Sequence, residues 1–76
     1  MNVSIKVVVE KQAKEYVAYP LGAGDGIAGH GSTHEEALAD LRFAIESNVQ
    51  EYGGEVLAGA REVLAAFVDE MEIELP

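Results

Sequence analysis

The chain has no cysteine, no tryptophan, two prolines and only five basic residues among 76. Without cysteine it can form neither disulfide staples nor a thiolate zinc cage, so any cross-linking must come from packing between side chains or between chains. The shortage of lysine and arginine is set against fourteen aspartates and glutamates, a formal net charge of -9. Such a surface repels nucleic-acid phosphates and anionic membranes, which argues against direct nucleic-acid binding. Its plainer meaning is solubility, and its sharper one a basic protein partner. No apolar run approaches the ~18 residues needed to span a bilayer, and Met1-Asn2 leads straight into a strand-like pattern rather than a signal peptide. The expectation is a cytoplasmic protein.

What the chain does have is apolar content of 49%, enough for one core and one domain over residues 1–76. A domain this small buries only ~60% of the surface that its unfolded chain exposes, so self-association would help it. Val3, Ile5, Val7 and Val9 alternate with Ser4, Lys6 and Val8, the period of a strand with one buried face. The polar stretch Glu10–Glu15 predicts a hairpin into a second strand at Tyr16-Val17-Ala18-Tyr19, whose aromatic and β-branched residues suit a pleated surface. Pro20 and the glycines at 22, 24 and 26 end it in a loop. A short third strand is expected at Ile27–His30.

The segment Gly31–Tyr52, GSTHEEALADLRFAIESNVQEY, predicts an amphipathic helix with a capped start. Thr33 can accept from the amide three residues on while Glu36 reaches back to the amide of Thr33, and Ser32 with Glu35 offers the same box one residue earlier. Leu38, Leu41, Ile45, Val49 and Tyr52 fall in one stripe, and Glu36, Asp40, Ser47 and Glu51 lie opposite. Gly53-Gly54 ends the helix. Glu55–Ala66 is expected to form a short helix or turn broken at Gly59. From Val68 to Leu75, Met71, Ile73 and Leu75 alternate with Glu70, Glu72 and Glu74, a final strand with one acidic edge. The fold class is therefore α+β in the order β-β-β-α-β: a three-stranded antiparallel meander, one main helix on one sheet face, a short helix or turn, and a last strand.

With that order in place, Tyr16–Ile45, YVAYPLGAGDGIAGHGSTHEEALADLRFAI, resembles the HicB-like antitoxin family. The likeness is carried by YVAY at Tyr16–Tyr19, the small-residue strand ending in Gly31, the Thr33 cap followed by Glu35-Glu36-Ala37-Leu38, and the helix to Ile45. The family's longer Pro-Asp-Leu-Pro-Gly-Cys type of segment after strand two is replaced here by Pro20-Leu21-Gly22-Ala23-Gly24-Asp25-Gly26. The resemblance implies a partial ribonuclease-H-like fold without nuclease activity. Its partner would be a small basic mRNA-cleaving HicA-like toxin with a double-stranded-RNA-binding-like fold. Many members of the family carry a second, DNA-binding domain at the C-terminus. Pro76 ends the sequence, and the expectation is a stand-alone domain.

The residues themselves argue against catalysis. A nuclease of that type needs carboxylates gathered at the middle of strand one to hold two metals, and the centre here is Ile5-Lys6-Val7, with Glu10 near the hairpin facing water. His30 and His34 straddle a strand end and a helix start, with no spacing that enforces a metal site. His30 is expected on an open sheet face and His34 exposed in the first helical turn. The glycine run before the helix lacks a GxGxxG or Walker spacing and a basic residue, while Asp25, Glu35 and Glu36 would repel phosphate. No metal and no cofactor is expected.

A protein interface is the remaining possibility. Phe43 lies outside the helix stripe, so either Val56, Leu57, Val63 or Leu64 folds back over it or it is an aromatic anchor for a partner or second copy. One helix covers only one sheet face, leaving Val8, Val17 or Tyr19 on the other. Glu70, Glu72 and Glu74 either blunt an edge against aggregation or meet a basic toxin. The candidate interface residues are thus Phe43, Val17, Tyr19, His30, Glu70, Glu72 and Glu74. The expected partners are a basic HicA-like toxin and a second copy of this chain, in a homodimer or higher homo-oligomer. The alternative is an orphan homo-oligomeric domain of the same fold, with a structural or assembly role and no toxin.

Overall fold

The computed structural model describes residues 2–22, 26–61 and 69–76. Its elements are β1 (Asn2–Lys11), β2 (Tyr16–Pro20), β3 (Gly29–Gly31), α1 (His34–Tyr52), a 3-10 turn η1 (Gly54–Leu57), a single-turn α2 (Ala58–Arg61) and β4 (Asp69–Glu74). The fold is α+β with the expected order of elements. The strands form one antiparallel sheet in the order β3-β2-β1-β4, so the meander is extended at its β1 side by the last strand.

The period of two in β1 is realised as two faces. Val3, Ile5 and Val7 are buried, and their cross-strand partners Ile73, Met71 and Pro20 lie on the same side. Ala18 of β2 and Gly29 of β3 continue that face across the sheet. Helix α1 covers it with Ala37, Leu41, Ile45 and Val49, and Leu57 of η1 closes the core beside them. Each large aliphatic side chain buried this way contributes roughly 1.5–3 kcal/mol.

The helix sits unusually close to β3, and glycine makes that possible. A Cβ at Gly29 would collide with the Leu41 amide and lie 2.5 Å from the Ala37 carbonyl oxygen, while one at Gly31 would lie 2.5 Å from Glu36 Cβ. The Gly29-His30-Gly31 pattern thus lets helix backbone rest on strand backbone, with only His30 bearing a side chain, directed to the far face. Small residues in this strand are a packing requirement.

Several sequence expectations shift. The third strand is Gly29–Gly31 rather than Ile27–His30, and Ile27 instead packs against the core from the loop. Helix α1 begins at His34, because Gly31 belongs to β3. In the cap, Thr33 Oγ1 accepts from the Glu36 amide at 3.1 Å as expected, but Glu36 Oε1 accepts from the amide of Ser32, not of Thr33, at 3.0 Å. Within the stripe, Leu38 is half-buried and Tyr52 is 65% exposed, whereas Ala37 is fully buried. Tyr52 lies on the correct side of the wheel, yet it stands at the helix end, past the surface that could bury it. Gly59 lies inside α2 rather than breaking a helix, and the described part of β4, Asp69–Glu74, stops one residue short of Leu75. Val63, Leu64 and Val68 lie outside the described residues.

Candidate functional site

The face of the sheet opposite α1, uncovered among the described residues, gathers most of the residues singled out by sequence. Alternation places Ser4, Lys6, Val8 and Glu10 of β1, Val17 and Tyr19 of β2, His30 of β3 and Glu70, Glu72 and Glu74 of β4 on it. Register then fixes the neighbours. Glu10, Val17 and His30 form one row across three strands, Val8 and Tyr19 the next, and Lys6 stands opposite Glu70 and Ser4 opposite Glu72.

At the hairpin end this face is part apolar and part acidic. Val8, Val17 and Tyr19 are each half-buried, and among the described residues no helix lies above them. Tyr19 donates its hydroxyl to Glu10 Oε2 at 2.8 Å, a diagonal contact that draws the ring from β2 over toward β1. That hydrogen bond, and secondarily desolvation and the charge of Glu10, raises the Tyr19 pKa above the ordinary tyrosine value. On the opposite side, His30 Nδ1 lies 3.0 Å from Glu15 Oε1, so the β1–β2 hairpin is tied to β3. Toward β4 the face becomes a strip of carboxylates, with Glu72 and Glu74 exposed.

The candidate residues therefore separate into two groups. With Glu70 at the register position opposite Lys6, Val17, Tyr19, His30, Glu72 and Glu74 share the open face. Phe43 does not: it is 71% exposed on the outer side of α1, with the sheet between it and the others. Of the residues expected to fold back over Phe43, Leu57 is buried in the main core and Val56 packs against it. His34 is half-buried and engaged, not an open first-turn histidine. Among the described residues, no group of three or more histidines and carboxylates is arranged to hold a metal ion.

Sequence reasoning missed three contributors. Glu10 is exposed, as expected, but it accepts from Tyr19, a diagonal cross-strand contact that depends on register and leaves no local pattern in the sequence. Asp40 and Arg42 reach from α1 to the two edge strands: Asp40 Oδ2 accepts from the His30 amide and Arg42 Nη1 donates to the Glu72 carbonyl, each at 2.8 Å. Nothing in a helical wheel reveals that polar residues on either flank of a stripe meet opposite edges of one sheet.

Away from that face, a concavity of about 450 Å³ lies between the last turns of α1 and the end of β4, lined by Glu46, Val49, Gln50, Glu74, Leu75 and Pro76. It is open to solvent. Among the described residues, no helix is long and apolar enough to cross a membrane. Compared with protein-family models, curated proteins and solved structures, the chain shows no match.

Proposed function

We propose that this chain is a non-catalytic protein-binding module, an antitoxin of the HicB-like kind that covers the RNA-binding or catalytic surface of a small basic HicA-like ribonuclease. The observation carrying the reading is the open sheet face, where half-buried Val8, Val17 and Tyr19 lie beside Glu10 and Glu15 at the hairpin end and Glu72 and Glu74 stand farther along, opposite Ser4 and Asn2, on a chain of net charge -9. An apolar centre with an acidic border suits a partner of opposite charge: the carboxylates steer the encounter, and the apolar contacts set how long it lasts. The centre of β1 agrees with a non-catalytic role. Ile5 and Val7 are buried and Lys6 sits between them on the open face, so that position offers no carboxylate for a two-metal reaction.

The test is whether a neighbouring reading frame encodes a short basic protein whose induction arrests growth, and whether this chain restores growth when co-expressed. Rescue with a salt-sensitive complex is expected. A neighbour that is basic and toxic but neither bound nor neutralised would sink the reading. The second reading, an orphan homo-oligomeric domain, draws on the 71% exposure of Phe43. It requires a dimer by light scattering that Phe43→Ala dissociates.

A further inference from the structure

We propose that the hairpin end of the open face is an arginine-receiving site, in which a guanidinium from the basic partner stacks on the Tyr19 ring and pairs with Glu10. This deepens the protein-binding reading and rests on it for the existence of a basic partner. Three observations converge. Tyr19 is held by its hydroxyl bond to Glu10 Oε2, which sets an aromatic ring and a carboxylate side by side and engages only one of the two carboxylate oxygens through that bond. Val8 opposes Tyr19 and Val17 opposes Glu10 in the strand register, providing an apolar surface for an aliphatic stem. Glu15, held at His30 Nδ1 by a 3.0 Å contact, adds negative potential on the far side of Val17.

Each part selects for arginine. A planar guanidinium can stack on an aromatic ring while its edge donates hydrogen bonds sideways, whereas a lysine ammonium is a more strongly hydrated point charge. A charge-assisted bond to Glu10 beside half-desolvated side chains is stronger than one in open water. A second copy of this chain is the poorer occupant. It has five basic residues against fourteen acidic ones, and face-to-face contact would oppose the two sets of carboxylates.

The test needs no partner protein. Uniformly labelled chain is titrated at low salt with N-acetyl-argininamide and, separately, N-acetyl-lysinamide, following the amide resonances. Saturable shifts are expected at Val8, Glu10, Val17 and Tyr19, with the arginine compound tighter by about two- to five-fold. Glu10→Gln and Tyr19→Ala should each abolish the preference for arginine. Tyr19→Phe, which keeps the ring and loses only the hydroxyl, should retain part of it, and unchanged α1 resonances verify that the variants are folded.

Shifts spread evenly over the carboxylates, or centred on Glu46 and Glu74, with no preference for arginine, would overturn the proposal. So would wild-type binding by Glu10→Gln, or open-face resonances that broaden with protein concentration and show that a second copy covers the face. Because the probe is a single amino acid, this site can fail while a basic companion still binds elsewhere. Conversely, the site can be present where no toxin is neutralised.

Discussion

At Gly29, a single hydrogen stands where any other residue would place a Cβ against the Leu41 amide. Gly29→Ala must push α1 off β3, and overpacking of this kind costs typically about 1–3 kcal/mol. A domain of this size has only several kcal/mol in hand, so a large drop in the urea midpoint is expected. Thr33→Ala, which removes the acceptor for the Glu36 amide, should cost about 1 kcal/mol in the same assay. Phe43→Ala should change the midpoint little, because a side chain 71% exposed has little burial to lose. Loss of partner binding without loss of stability would mark Phe43 as part of an interface.

Tyr19 supplies a pH-dependent prediction at the same scale. Its hydroxyl bond to Glu10 raises its pKa in the folded protein, so the folded state holds that proton more tightly than the unfolded chain does. The resulting stabilisation is complete below the ordinary tyrosine pKa of about 10 and is lost as pH rises through the higher folded value. Absorbance titration should show one tyrosine ionising late, and Glu10→Gln should bring it back toward the ordinary range.

At the scale of elements, the two exposed edges of the sheet have a common guardian. β3 and β4 are the edge strands, and α1 sends Asp40 to an amide of the first and Arg42 to a carbonyl of the second. An edge with free amides and carbonyls is a template for aggregation, and covering it is one of the ways in which proteins prevent this. Asp40→Ala should leave the His30 amide without that acceptor, at a cost of about 1 kcal/mol. Hydrogen exchange at His30 is the measurement, with faster exchange expected in Asp40→Ala and near-native exchange in Asp40→Asn, whose side-chain oxygen can still accept. Equal exchange in both variants and the parent would show that the contact protects nothing. The acidic residues of β4 belong to the same picture, since Glu72 and Glu74 are exposed and discourage pairing between identical edges.

At the scale of the whole molecule, the Cα radius of gyration of 11.6 Å is close to the roughly 11 Å of a compact chain of this length. Among the described residues, one sheet face is closed by α1 and η1 and the other carries no second layer, so half-buried Val8, Val17 and Tyr19 lie on the same side as Glu10, Glu72 and Glu74, while the outer side of α1 carries a second set of carboxylates, Glu35, Glu36, Asp40, Glu46 and Glu51. Raising salt from about 0.05 to 0.5 M shortens the Debye length several-fold. Association with a basic partner should then weaken mainly through a slower on-rate, with smaller change in the off-rate. A complex insensitive to salt would mean that the carboxylates of the open face do not take part.

The sequence by itself determined what depends on neighbours along the chain. Alternation in Val3–Val9 and Met71–Leu75, the Thr33 cap and the apolar stripe through Leu41, Ile45 and Val49 are local periodicities, and each can be read before the chain folds. The same alternation already divided Val8, Val17 and Tyr19 from the core face. Only the tertiary structure decided how elements meet. It put β4 beside β1, set the helix backbone on Gly29 and Gly31, left Tyr52 beyond the sheet, and brought Tyr19 to Glu10, Glu15 to His30 and Asp40 and Arg42 to opposite edges. Those outcomes rest on strand register, crossing distance and side-chain reach between residues far apart in the chain. A one-residue slip in register would reverse every face, and no local pattern in the sequence records which register wins.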